Sequence, residues 1–218
     1  MPGLKNTDPQ VLAIYGSPRK EGVTSFIQDS ILEQLGLPVH VIKKYVYDEN
    51  INPCVACGYC EQHFGCIFND SMTEIYDLLI TSNLVLITSP LYFSNITGPL
   101  KLLVDRCQVI WERQLRGEKS SIYQRGFFSA AGAGSYSNMF VPSVITIRHL
   151  YNTAGFIYNE DEYVLLDSSP PLLNLPQHPL MIKVKSAAAV LTKDLIQHCL
   201  FGDINILRTR TKINPIFV

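Results

Sequence analysis

Apolar residues fall along this chain in short blocks of two alternating kinds. Residues 11–15, Val-Leu-Ala-Ile-Tyr, form an unbroken apolar run that stops at Gly16. Such a run is the mark of a strand buried on both faces, as in a parallel sheet. Residues 24–35 instead carry Phe26, Ile27, Ile31, Leu32 and Leu35 at helical spacing and end at Gly36, which predicts a helix. Further strands are expected at 39–45, 84–88, 126–130 and within 156–166. The intervening helices are expected from about 70 to 79, from 99 to about 116, from 139 to 151 and from 183 to 200. The first of these has Met72, Ile75, Leu78 and Leu79 as its apolar face and Asp70 and Glu74 near its start, where the helix dipole favours acids. The last is enriched in the strong helix formers Ala187, Ala188 and Ala189. Strand and helix alternating in this order make an α/β sheet of parallel strands.

Composition narrows the picture. With 218 residues, 47% hydrophobic and 17% charged, the chain has material for one well-packed domain. That domain is expected over 1–200, with a cysteine-containing insertion at 53–69 and a C-terminal tail at 201–218. A net charge of −1, from 18 basic and 19 acidic residues, leaves no electrostatic footprint for nucleic acid. The first ten residues lack the apolar core of a secretory signal. No apolar stretch approaches the roughly 20 residues that span a bilayer. A soluble, cytoplasmic protein with no membrane partner is expected. Pro170, Pro171, Pro176 and Pro179 make 167–179 an extended loop, either a plain surface loop or an arm used in subunit contacts.

Ligands of α/β sheets bind at the carboxyl ends of the strands. The first such end reads Gly16-Ser17-Pro18-Arg19-Lys20-Glu21-Gly22-Val23-Thr24-Ser25. It combines turn glycines, hydroxyls and two cations with a helix start directly behind, where free N–H groups and the dipole favour a phosphate. A Walker loop is excluded, because five residues separate Gly16 from Gly22 and Val23 rather than Lys precedes Thr24. The dinucleotide pattern G-x-G-x-x-G is absent too. A monophosphate held by hydroxyls and backbone fits better than either, against the plainer reading of a polar strand-to-helix turn. The third strand end supplies Pro90-Leu91-Tyr92-Phe93-Ser94, whose aromatics suit either a flat ring or the core. The fourth ends in small residues that include Gly132 and Gly134, which let backbone approach a ligand closely.

Together, Gly16 to Lys20, Ser89-Pro90-Leu91-Tyr92-Phe93 and Leu100-Lys101-Leu102-Leu103-Val104-Asp105-Arg106 resemble the NAD(P)H-dependent FMN reductase group of flavodoxin-like proteins. The resemblance covers about residues 10–155, with Val23 where that family often has Asn. It implies a flavodoxin-like three-layer α/β/α sandwich around a five-stranded parallel sheet in the order 2-1-3-4-5. It implies FMN as cofactor, with the phosphate at Ser17, Pro18, Arg19, Lys20, Thr24 and Ser25. The isoalloxazine ring would lie against Pro90, Leu91, Tyr92, Phe93 and Ser94, bordered by Gly132 and Gly134.

Four of six cysteines crowd into thirteen residues as Cys54, Cys57, Cys60 and Cys66, a C-x2-C-x2-C-x5-C run, while Cys107 and Cys199 stand alone. A disulfide framework would spread them along a short secreted chain. Two-residue gaps let a loop wrap a [4Fe–4S] cubane as in bacterial ferredoxins. Zinc, which generally uses two separated C-x2-C knuckles, and bare thiols are the alternatives; His63 is a further candidate zinc ligand. The same spacing resembles the iron–sulfur flavoprotein branch of the family. That likeness implies Cys54, Cys57, Cys60 and Cys66 as cluster ligands and a homodimer or homotetramer. It implies a small ferredoxin-like redox protein or NAD(P)H as electron donor and a small-molecule acceptor. The competing expectations are a cluster-free FMN or quinone reductase and a non-enzymatic, flavodoxin-like carrier. Lys101 and Asp105 are spaced for an ion pair on one helix face; Asp105 and Arg106 are read as supports of helix and subunit packing.

Overall fold

The computed structural model describes residues 8–118, 122–134, 136–168 and 175–200. The tail at 201–218 and residues 169–174 of the proline-rich loop lie outside them. The chain runs β1 (Gln10–Tyr15), α1 (Val23–Glu33), β2 (His40–Tyr45), α2 (Tyr59–Gln62), α3 (Met72–Thr81) and β3 (Leu84–Pro90). It continues through α4 (Gly98–Arg106), α5 (Gln108–Leu115), β4 (Arg125–Gly132), α6 (Val141–Ala154), β5 (Val164–Asp167) and α7 (Leu180–Leu195).

All strands are parallel, in the order β2-β1-β3-β4-β5, the flavodoxin-like order expected. The apolar runs occupy the middle of the sheet: Val11 to Tyr15 of β1 and Leu84 to Ile87 of β3 are buried under helices on both faces. The edge strand β2, His-Val-Ile-Lys-Lys-Tyr, is largely exposed and carries Lys43 and Lys44, charges that discourage edge-to-edge pairing. The order reverses between β1 and β3, so a crevice opens at the carboxyl ends of those two strands.

Some boundaries differ from the sequence expectation. The helix expected from 99 to 116 is two helices, broken at Cys107, whose ψ of 4° leaves the helical range. Apolar spacing continues through the break, so periodicity could not reveal it. The fifth strand occupies only the end of its window, because a helical turn at Glu160–Glu162 takes up the middle. The last helix begins at Leu180, just behind Pro179, and passes into a wider turn at Ile196–Leu200. Arg125, nearly buried at the start of β4, pairs with Glu162 and with Asp194 of α7 (2.9 Å to the latter), tying the closing helix to the sheet. Among the described residues no helix is long and apolar enough to cross a membrane.

Candidate functional site

Backbone hydrogen bonds knit the strand-end loops into one rim. Gly16 N–H donates to the Thr88 carbonyl at 2.7 Å, and Thr97 Oγ1 donates to the Gly16 carbonyl at 2.7 Å. Gly16 is required there, since a Cβ would lie 2.7 Å from the Thr88 oxygen and 2.9 Å from Leu100. In the next turn, Ser17 Oγ accepts from Arg19 N–H and Ser25 Oγ donates to the Arg19 carbonyl, both at 3.1 Å. Ser17, Thr24 and Ser25 are thus buried at the loop, whereas Pro18, Arg19 and Lys20 stand exposed on its rim. Helix α1 begins behind Gly22 with no side-chain cap, so its first N–H groups carry no helical bond and suit an anion. Lys20 reaches Asp48 at 2.5 Å and lies 5.0 Å above the Tyr45 ring, which brings the end of β2 into the rim.

After β3, Leu91 N–H donates to the Ala131 carbonyl at 2.8 Å, and the chain reverses between Tyr92 and Asn95. Phe93 (φ 53°) and Ser94 (φ 65°) occupy the middle of that turn in left-handed conformations that side chains disfavour. Phe93 is fully exposed and Tyr92 half so; neither packs in the core. Ser94 Oγ pairs with the Tyr136 hydroxyl, joining this loop to the one after β4. Gly132 is buried against Leu91, and exposed Gly134 adjoins Tyr136. Tyr47, in the turn after β2, was not singled out from sequence. It stands beside Thr97 and Tyr92; burial raises its hydroxyl pKa, and the contact with Thr97 works against that rise. Its position at a strand's carboxyl end was the available signal.

The cysteine loop is stapled at its feet. Asp70 accepts from Asn52 N–H (3.0 Å), Asn52 Nδ2 (3.1 Å) and Met72 N–H (3.1 Å). Arg106, at the end of α4, forks onto the same carboxylate at 2.7 and 3.1 Å and donates to the Asn52 carbonyl at 2.7 Å. Burial opposes the charge on Asp70, but the bond from Arg106, followed by those from Asn52 and Met72, wins and holds its pKa down at about 2. Arg106 is therefore committed to the interior of its own chain, whereas Lys101 and Asp105 pair on the exposed helix face.

Above these feet, Ala56 (φ 51°) and Gly58 (φ 74°) bend the loop sharply, and Gly58 opens the short helix α2. Two arginines of α5 and its end dock the loop: Arg116 Nη1 donates to the Cys60 carbonyl at 2.9 Å, and the Arg113 guanidinium lies 5.2 Å from the Phe64 ring centre. Between loop and α5 is a cavity of about 220 Å³ lined by Cys54, Cys57, Cys60, Cys66, Phe68 and Arg106, among others. Burial pushes up the Cys60 thiol pKa, and Cys66 and Cys54 are close enough to add to the shift. Among the described residues no three of these side chains converge tightly enough to grip one metal ion. His63 lies outside the cavity lining, exposed and stacked on Tyr59 at 4.2 Å. Cys107 is buried, its pKa pushed up to about 12 by burial, and Cys199 to about 11 for the same reason. Helix α4 runs from the strand-end rim at Gly98 to Arg106 at the cavity, about 12 Å at 1.5 Å per residue.

A family model described as NADPH-dependent FMN reductase matches residues 9–163. An iron–sulfur flavoprotein of Methanocaldococcus jannaschii is 38% identical over 104 residues, 46% of this chain and 52% of that one. One of Clostridioides difficile is 31% identical over 139 residues, 62% of this chain and 60% of that one. The chain spans about half the length of the curated relatives it matches. The crystal structure of an NADH:FMN oxidoreductase in its apo form superposes with a TM-score of 0.59 at 14% identity, over 85% of this chain and 89% of that one, a likeness of fold. The family-model match runs from β1 to the residue before β5 and takes in the strand-end rim and the cysteine loop alike: the chain belongs to the NADPH-dependent FMN reductase family and groups there with iron–sulfur flavoproteins.

Proposed function

We propose that this protein is an FMN-dependent oxidoreductase that transfers electrons between a [4Fe–4S] cluster and the flavin. The observation that carries the reading is that all four cysteines of the C-x2-C-x2-C-x5-C run line one cavity, at the far end of the helix that starts from the strand-end rim. When bound, FMN supplies a carrier of one or two electrons and the cluster a carrier of one, so the pair joins partners of either kind.

The residues present fit both groups. Ser17, Thr24 and Ser25 with the uncapped start of α1 offer hydroxyls and N–H groups to the phosphate, and Arg19 and Lys20 add positive charge at the rim. Pro18 shapes that turn. Pro90, Leu91, Tyr92, Phe93 and Ser94 would border the ring, with Gly132 and Gly134 beside them; the space at Gly132 is taken by Leu91 and that at Gly134 by Tyr136, so these glycines serve the packing of the two loops. Phe93, bare to solvent on a strained turn, has no packing partner among the described residues, which suits a side chain that covers a ligand. Cys54, Cys57, Cys60 and Cys66 would each ligate one iron, a wider arrangement than the sulfurs about 4 Å apart that one tetrahedral zinc demands. In this reading the protein is cytoplasmic, functions as a homodimer or homotetramer, takes electrons from NAD(P)H or a ferredoxin-like protein and passes them to a small molecule.

One observation favours a second reading, a cluster-free NAD(P)H-dependent FMN or quinone reductase: the family model that matches residues 9–163 is described as NADPH-dependent FMN reductase. Iron, acid-labile sulfide, zinc and flavin contents with a visible spectrum, on protein purified without oxygen, decide between them. About four irons and about one FMN per chain, with the cluster absorption lost in Cys57→Ala, are expected. FMN without iron would establish the second reading; neither group would overturn both.

A further inference from the structure

Arg106 makes contacts that explain only part of it. Its side chain is 1% exposed, as is that of Asp70. Nη1 and Nη2 are taken up by the Asp70 carboxylate and the Asn52 carbonyl, and the guanidinium lies 5.2 Å from the Phe68 ring centre. Nε is buried and has no hydrogen-bond partner among the described residues. An unmade N–H bond at a fully buried guanidinium forfeits its hydration with nothing in return, so native proteins rarely leave one. The same side chain lines the four-cysteine cavity. The remaining lining is thiols, the Tyr59 and Phe68 rings and aliphatic carbon, with the carboxylates of Glu61 and Glu112 on α2 and α5 and the Gln108 amide, whose Nε2 is turned to Glu112 at 3.4 Å.

We propose that the Arg106 Nε–H is a hydrogen-bond donor to the cluster, donating to a cysteine thiolate or a bridging sulfide. This rests on the cluster reading above. The chemistry fits in two ways. Sulfur ligands of an iron–sulfur group are acceptors with no donor of their own, and hydrogen bonds to them set its potential. Reduction adds negative charge, so a fixed cation with an N–H aimed at sulfur stabilises the reduced form more than the oxidised one and raises the potential. The Asp70 fork is what holds the donor still: a planar guanidinium with one edge bonded to a carboxylate presents its Nε–H in a set direction. Arg106 thus staples the feet of the loop with one edge and contacts its cargo with the other.

The test uses the wild-type holoprotein, so it does not depend on a variant folding. Protein is grown with arginine carrying ¹⁵N in the guanidinium, the cluster is reduced, and pulsed EPR reads nitrogen coupled to its spin. An arginine ¹⁵N coupling is expected, and its loss in Arg106→Lys, which keeps the charge near Asp70 but has no Nε–H. A redox titration of Arg106→Lys should give a lower cluster potential than wild type, with iron content retained. A full cluster signal without arginine ¹⁵N coupling, or coupling that survives in Arg106→Lys, would overturn the proposal and leave the cluster standing. Protein that holds flavin but neither iron nor a cluster signal would remove the cluster reading and this inference with it.

Discussion

Cutting the staple at the base of the cysteine loop gives the most quantitative test of the structure. Asp70→Ala would remove a carboxylate that accepts five hydrogen bonds, from Arg106 Nη1 and Nη2, Asn52 N–H and Nδ2, and Met72 N–H. It would strand a guanidinium in a site where both partners are 1% exposed. Breaking a buried pair from one side costs about 3–5 kcal/mol, because the remaining charge stays desolvated. Against a total stability of about 5–15 kcal/mol, that is a large fraction. At about 2–4 °C per kcal/mol for a chain of this size, the midpoint should fall by roughly 6–20 °C. Arg106→Met should cost a similar amount by leaving the carboxylate unpaired. In the double variant no buried charge remains, and the residual cost comes from two backbone N–H groups, the Asn52 side-chain amide and one carbonyl, about 1 kcal/mol each. The double variant should therefore be more stable than the sum of the singles predicts, by at least about 2 kcal/mol. Urea unfolding followed by circular dichroism measures all four corners, with flavin and iron removed from every protein so that binding adds nothing to the native state. Additivity within about 0.5 kcal/mol would refute a coupled buried pair.

The remaining expectations concern single positions. Phe93→Gly should leave stability within about 1 kcal/mol of wild type, since relief of the left-handed strain offsets glycine's entropy. The same change should weaken FMN binding roughly tenfold by flavin fluorescence titration if the ring lies against it; unchanged affinity would remove Phe93 from the site. Gly16→Ala should cost about 1–3 kcal/mol, because its methyl meets the Thr88 carbonyl, which the sheet holds fixed, and a wild-type melting temperature would show that the rim yields. Asp70, held at about 2 against an ordinary 3.8, contributes stability that is fully present above about pH 4 and lost as the pH falls through 2. The loss is about 2 kcal/mol, and Asp70→Asn should show a flatter acid limb in urea midpoints than wild type does. Buried Cys107, pushed up to about 12, should resist iodoacetamide at pH 8 in the native state and react on unfolding; rapid native labelling by mass spectrometry would contradict its burial.

The sequence by itself determined the layered α/β plan. Runs such as 11–15 and 84–87 are too uniformly apolar to be anything but strands covered on both faces, and the intervening 3.6-residue spacing leaves helices as the only cover. It also placed the chemistry on the chain, because Gly16 to Ser25 and the four-cysteine run are contiguous segments whose spacing can be read without knowing how they fold. Tertiary structure decided everything that depends on residues distant in sequence meeting. Lys101 and Asp105 are visible as a pair, four apart on one helix; Arg106, Asp70 and Asn52 are not, for 54 positions separate the first from the last. The break at Cys107 was hidden because one residue's ψ changes a helix's path without disturbing its apolar period. Tyr47 reached the rim only through the pairing of β2 with β1. The left-handed turn at Phe93 and Ser94 lacks the glycines that announce such turns, since their strain is held by the flanking bonds of Tyr92 and Asn95 rather than by their own preference. Local preference and periodicity belong to neighbours in sequence; ion pairs, cavities and strain belong to neighbours in space.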